Sequence, residues 1–126
     1  MTYRILVCDD DREIARAICI YLRSTGYEAV EAHDGTEVLE LCRTQTFHLL
    51  ILDIMMPGID GLEATRQIRA LDREDAATTP IIAVSANAFA DDRRLSREAG
   101  MNAHLSKPVS SQELVEALAH IAADAS

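Results

Sequence analysis

Ile5-Leu6-Val7-Cys8-Asp9-Asp10-Asp11 runs four apolar residues straight into three carboxylates. His48-Leu49-Leu50-Ile51-Leu52-Asp53 repeats the arrangement with one acid. A short, unbroken apolar run bounded by polar residues is the pattern of a strand buried on both faces. The acids at its exit raise a second question, because like charges repel. Two carboxylates ~5 Å apart cost each other roughly 3 kcal/mol at an effective dielectric near 20. Solvent, a helix N-terminus or a cation has to compensate.

The rest of the chain alternates between such runs and helical periods. Arg4 to Cys8 reads as the first strand. Ile14, Ala17, Ile18, Tyr21 and Leu22 then repeat at helical spacing, and Gly26 stops that helix. Glu28 to Ala32 reads as a short strand. Asp34 is the expected N-cap of a second helix that turns Val38, Leu41 and Cys42 inward. His48 to Leu52 is a strand ending on Asp53. Pro57-Gly58 marks a loop, and a third helix from Gly61 carries Leu62, Ile68 and Leu71. A polar connection, residues 72 to 79, leads to the strand "PIIAV", which ends on Ser85. Asp91 to Ala99 reads as helix, with Gly100 as its stop. Asn102 to Leu105 reads as a brief strand before Lys107-Pro108. Leu114, Ala117, Leu118, Ile121 and Ala122 line one face of the last helix. Five strands alternating with five helices imply an α/β, doubly wound parallel sheet covered on both faces.

Composition agrees with one globular domain over residues 1 to 126. The chain is 48% hydrophobic and 26% charged, and no apolar run approaches the ~20 residues of a membrane span. A net charge of −9 argues against direct nucleic-acid binding and against an anionic membrane surface. Cys8, Cys19 and Cys42 are an odd number without CxxC spacing, and they read as reduced core residues of a cytoplasmic protein.

In an open parallel sheet the ligand site lies beyond the carboxyl ends of the strands. Those ends carry Asp9 and Asp10, Asp53, Ser85, and Lys107. Taken singly, each has an ordinary structural reading: a helix cap or first-turn acid, a turn residue, a buried hydroxyl, a solvated cation. Together they form a set with one chemistry. The acids are hard ligands for magnesium, and Asp53 is placed to be a carboxylate nucleophile toward phosphorus. Lys107 and Ser85 offer a charge and a hydroxyl to an incoming phosphoryl group.

At these residues the chain resembles the receiver domains of two-component response regulators, the family of the bacterial chemotaxis regulator. The matching stretches are "ILVCDDD", "LLILDIMMPGIDG", "PIIAVSA" and "AGMNAHLSKP", in the family's order and spacing. The resemblance implies a flavodoxin-like sheet in the order 2-1-3-4-5. It implies Asp53 as phosphoacceptor, and Asp9, Asp10, Asp53 and the backbone carbonyl of Met55 as the Mg2+ site, with Asp10 the more direct ligand of the acidic pair. Ser85 and Lys107 follow the phosphoryl group, Ala86 is the small residue beside Ser85, and the Lys107-Pro108 peptide is cis. The implied donor is a histidine kinase or histidine phosphotransfer domain, docking near Ile14 and Ile18 of the first helix. The implied output is a change in the face formed by helix four, strand five and helix five, read by a downstream effector, in a monomer or weak dimer. The "SANAFADD…EAGMNAHLSKP" run leans toward the receivers of hybrid sensor kinases.

One position departs from the family pattern. Its aromatic switch residue, three before the lysine, is here His104, a smaller and titratable ring. Met55 and Asn87 resemble the positions that tune phosphoryl lifetime. The apolar Met55 cannot orient an attacking water, so a long-lived aspartyl phosphate is expected. Two other classes use related parts. A haloacid-dehalogenase-like phosphohydrolase needs a second Asp where Met55 stands. A flavin module needs a phosphate-cradling loop after strand one, where "DDD" repels phosphate.

Overall fold

The computed structural model describes residues 3–86 and 90–125, with the side chains of 90–92 and 122–125 left aside. Strands β1 (Arg4–Cys8), β2 (Glu28–Ala32), β3 (Leu49–Asp53), β4 (Ile81–Ser85) and β5 (Ala103–Ser106) alternate with helices α1 (Arg12–Ser24), α2 (Gly35–Thr44), α3 (Gly61–Arg69), α4 (Ala90–Ala99) and α5 (Ser111–Ala125). The strands form one parallel sheet in the order β2-β1-β3-β4-β5. This is the expected doubly wound, flavodoxin-like architecture.

The apolar runs are explained by what covers them. Successive side chains of a strand point to opposite faces. Ile5, Val7, Leu49, Ile51, Ile82 and Val84 therefore pack with Ala15, Ile18, Cys19 and Leu22 of α1 and Leu114 and Ile121 of α5. Leu6, Cys8, Leu50, Leu52, Ile81 and Ala83 pack on the other face with Val38, Leu39 and Cys42 of α2 and Ala64 and Ile68 of α3. Each large aliphatic side chain so buried contributes about 1.5–3 kcal/mol. Three helices start on aspartate caps: Asp11 for α1, Asp34 for α2 and Asp60 for α3, each accepting first-turn backbone N–H bonds.

Some boundaries differ from the sequence reading. The inner face of α1 is Ala15, Ile18, Cys19 and Leu22, whereas Ala17 is exposed and Ile14 and Tyr21 are half-buried. The small Ala15 and Cys19 share the sheet-facing side with Ile18 and Leu22, and the larger Ile14 and Tyr21 pack at its flank. Leu71 packs on the core from beyond the end of α3. Leu39 is buried beside Val38 and Cys42, a fourth inward residue of α2. Ala122 of the last helix and Asn87 lie outside the described side chains. The polar connection after α3 is fastened at several points: Arg73 donates to the carbonyls of Cys42 and Gln45 and to Thr46 Oγ1 (2.8 Å), and Arg69 donates to those of Ala76 and Thr79.

Candidate functional site at the carboxyl edge of the sheet

The three consecutive acids do three different things. Asp9, 2% exposed, continues β1 and turns its carboxylate inward. Its Oδ1 accepts the Asp11 N–H at 2.9 Å, and its Oδ2 pairs with Lys107 Nζ at 2.9 Å. Asp10 is exposed at the mouth. Asp11 caps α1, accepting from Glu13 N at 3.0 Å and Ile14 N at 3.4 Å. The helix N-terminus thus compensates one acid, a lysine another, and solvent the third.

Asp53, also 2% exposed, ends β3 beside Asp9. Its Oδ1 accepts the Met55 N–H at 3.1 Å and its Oδ2 the Lys107 ammonium at 3.1 Å. Burial pushes the Asp53 carboxyl up to about 7; the Asp9 charge pushes the same way, and Lys107 partly offsets both. For Lys107, burial alone lowers the pKa, but the hydrogen bonds and charges of Asp9 and Asp53 outweigh it and raise it. One ammonium thus serves two buried carboxylates, with a third carboxylate at the rim.

The backbone holds this arrangement from three sides. Ile54 N donates to Val84 O at 2.9 Å, and Gly61 N to Ile54 O at 3.1 Å. Gly61 must be glycine, because a Cβ there would lie 2.2 Å from the Asp53 carbonyl oxygen. Lys107 N donates to Ser85 O at 2.9 Å, which ties the β5 exit to the β4 exit, and the Lys107-Pro108 peptide is cis.

One ligand oxygen each from Asp9, Asp10 and Asp53 lies within 4.8 Å of the other two. In an octahedron of Mg–O bonds ~2.1 Å long, opposite ligands are roughly 4 Å apart. The spacing of the trio is of the same order, and the all-oxygen donor set suits a hard divalent cation.

The expected residues therefore meet in part. Asp9, Asp10, Asp53 and Lys107 converge. Ser85, fully buried, ends β4 at the same edge, and exposed Ala86 follows it. Met55 is 65% exposed, while its backbone N–H bonds to Asp53. His104 is half-buried in β5, in register with Ala83 of β4. The cysteines are all buried and free. Burial, chiefly, raises the Cys8 thiol, and pushes Cys19 and Cys42 up to about 11, as suits inert packing residues. Gly61 and Asp60 are the supports that a search for reactive side chains passes over; the "IDG" tripeptide, a cap followed by glycine, is their signal.

A five-stranded doubly wound sheet with an acidic pocket and a lysine at its carboxyl edge defines a class of phosphoryl-responsive signalling domains. The response regulator receiver domain profile matches residues 5–119, and the chain belongs to that family, whose members are signalling modules switched by phosphorylation. It is 37% identical over 115 residues to response regulator MprA of Mycobacterium ulcerans, covering 91% of this chain and 48% of that protein. It is 39% identical over 116 residues to the CAI-1 autoinducer sensor kinase/phosphatase CqsS of Vibrio cholerae, covering 92% of this chain and 17% of that protein. The chain thus spans about half or less of these relatives. Among solved structures it is similar to chemotaxis protein CheY4 of Vibrio cholerae, with a TM-score of 0.90 and 25% identity over 96% of this chain and 99% of that one. The receiver domain of a Pseudomonas aeruginosa sensor histidine kinase, with a magnesium ion coordinated in its active-site cleft, superposes with a TM-score of 0.85 at 35% identity, over 95% of this chain and 97% of that one. Among the described residues no helix is long and apolar enough to cross a membrane.

Proposed function

We propose that Asp53 is the phosphoacceptor of a single receiver domain spanning residues 1–126, and that its donor is a phosphohistidine on a histidine kinase or phosphotransfer domain. The observation that carries this reading is the double ion pair of Lys107 with Asp9 and Asp53, which joins the exits of β1, β3 and β5 at one point. An Asp53 carboxylate oxygen attacks phosphorus, the P–N bond to the donor imidazole breaks, and the imidazole keeps the electron pair. Asp9, Asp10, Asp53 and the Met55 carbonyl are the groups that would hold Mg2+, which when bound supplies charge neutralisation between the acceptor and the phosphoryl oxygens. Lys107, already against Asp53, passes to the new phosphoryl oxygens, and the Ser85 hydroxyl donates to them. The domain catalyses only its own phosphorylation and dephosphorylation. With Met55 apolar and turned to solvent, no side chain at that position activates water, and the phosphoryl group is long-lived.

The switch passes through Ser85 and His104 to the face of α4, β5 and α5, where an effector reads it. The donor contact on α1 differs from the expected apolar patch, because Ile18 is buried and Ile14 half-buried. What α1 offers to a partner is the row Arg12, Arg16 and Ile20, one turn apart and exposed, with no ion pair to either arginine among the described residues. In a chain of net charge −9, such a row suits an acidic helical face on the donor. Three free cysteines support a reducing, cytoplasmic setting. Both a response regulator and a hybrid sensor kinase remain natural hosts, as the two kinds of relative indicate.

Incubation with acetyl phosphate and magnesium tests the reading. Intact mass gains one phosphoryl group in the wild type and none in Asp53→Asn; an equal gain in the variant assigns the acceptor elsewhere.

A further inference from the structure

Arg69, the last residue of α3, spends every donor it has. A guanidinium carries five N–H groups. Here Nε and Nη2 donate to the Gly100 carbonyl at 3.1 and 2.8 Å, and Nη2 also to Asn102 Oδ1 at 2.9 Å. Nη1 donates to the carbonyls of Ala76 and Thr79 at 3.1 and 2.7 Å. Not one acceptor is a carboxylate. A surface arginine placed for charge pairing would not be arranged this way; this one is a backbone clamp joining three segments.

The clamped residues lead directly into β5. Gly100 ends α4 with φ +110°, and a Cβ there would also meet the Arg69 side chain at 3.1 Å. Asn102 Oδ1, held by Arg69, also accepts the Ile81 N–H at 2.9 Å, and Asn102 N donates to Ile81 O at 2.7 Å. Ile81 is the first residue of β4, so this contact starts the β4–β5 ladder. β5 is an edge strand of four residues, none fully buried. Ala103 and Leu105 pack on the core from one face only and partly, so the clamp at its start adds to a modest set of contacts; a slip of one residue would move its exit by ~3.3 Å and invert its faces. Its exit residue is Lys107. The opposite end of α3 is seated through Gly61 against the Asp53 carbonyl. One helix is therefore fixed at one end to the acceptor and at the other to the strand that delivers the lysine.

We propose that Arg69 is a positioning residue: by clamping Gly100 and Asn102 it sets the register of β5, and so holds Lys107 against Asp9 and Asp53. The catalytic part of this claim rests on Asp53 as the acceptor; the register part does not.

Arg73 supplies a matched control. It fastens the same connection to the end of α2, through the carbonyls of Cys42 and Gln45 and through Thr46, and among the described residues it makes no hydrogen bond or ion pair with α4 or β5. The experiment compares wild type with Arg69→Ala, Arg69→Lys, Asn102→Ala and Arg73→Ala. Amide hydrogen exchange of the unphosphorylated proteins is read at residues 102 to 107. The phosphorylation rate is read by intact mass across a range of acetyl phosphate concentrations with magnesium. Arg69→Ala is expected to speed exchange in that segment ~10-fold. It should lower the maximal phosphorylation rate ~5-fold at an unchanged half-saturating concentration, because Lys107 is misplaced and not removed. Arg69→Lys, which keeps the charge but not the fork, should recover part of both losses. Arg73→Ala should lose stability to urea yet keep both readouts within about twofold of wild type. Exchange and rate unchanged in Arg69→Ala, or equally changed in Arg73→Ala, would overturn the proposal. Should Arg69→Ala fail to fold, Arg69→Lys and Asn102→Ala carry the same comparison. A wild-type protein that takes up no phosphoryl group would refute Asp53 as acceptor, while the exchange data alone would still decide whether Arg69 holds β5.

Discussion

Asp53 is a carboxylate held where a carboxylate is poorly tolerated. Burial and the Asp9 charge raise it from 3.8 to about 7, against the pull of Lys107. A carboxyl raised on folding binds its proton more tightly in the native state. Its favourable contribution is therefore present below about pH 4 and is lost as pH climbs toward 7. Asparagine at this position imitates the protonated form. Asp53→Asn should thus be more stable than the wild type in metal-free buffer by ~1–3 kcal/mol at pH 8, with the gap shrinking toward pH 4. Urea unfolding at the two pH values with a chelator present measures it. A gap independent of pH would mean that the amide stabilises by some route other than relief of charge. Asp11, in the acidic tripeptide after β1, makes the opposite case. Its carboxylate caps α1, so Asp11→Ala should cost ~1 kcal/mol of stability while leaving magnesium affinity and phosphoryl uptake unchanged. Loss of uptake in that variant would show that the third acid belongs to the pocket after all.

At the scale of elements, what was legible in the sequence is what periodicity and strand exits encode. The runs Ile5–Cys8, Leu49–Leu52 and Ile81–Val84 are apolar because both faces of the sheet are covered, and that pattern alone implies the parallel α/β architecture. Asp9, Asp53 and Lys107 could be gathered because strand exits in such a sheet share one edge. The rotation of α1 was not legible. Small residues such as Ala15 and Cys19 carry little weight in a hydrophobic pattern, yet both are fully buried on the sheet-facing side of α1. The role of Arg69 was hidden as well, because its partners are main-chain carbonyls, and a carbonyl has no letter in the sequence. Gly61 shows the same blindness to backbone contacts. A methyl group there would press on the Asp53 carbonyl, which is main chain and cannot step aside. Gly61→Ala should therefore destabilise by ~3 kcal/mol or more, and the damage should be shared by α3 and the acceptor loop. Hydrogen exchange that rises together in residues 54 to 69 is the expected signature; a loss confined to α3 would argue that the loop is held by its other bonds.

The molecule as a whole carries a net charge of −9, and this complicates any reading of metal binding. A polyanion is stabilised by any salt that screens its self-repulsion, so a rise in melting temperature with magnesium does not by itself identify a site. Site binding and screening differ in form. A ligand that binds only the native state adds RT ln(1 + [L]/Kd), about 2.7 kcal/mol at a hundredfold excess over Kd, and it acts wherever its ligands are. Screening depends on ionic strength and on charge spread over the surface. Magnesium chloride should therefore raise the melting temperature well beyond sodium chloride at equal ionic strength. That excess should disappear in Asp10→Asn, which removes one exposed carboxylate from the cluster and only one charge from the total. Removal of an exposed acid far from the pocket, as in Glu116→Gln on α5, changes the net charge equally and should leave the excess intact. If the two single-charge variants respond alike, magnesium acts on the whole surface, and the convergence of Asp9, Asp10 and Asp53 is not a binding site.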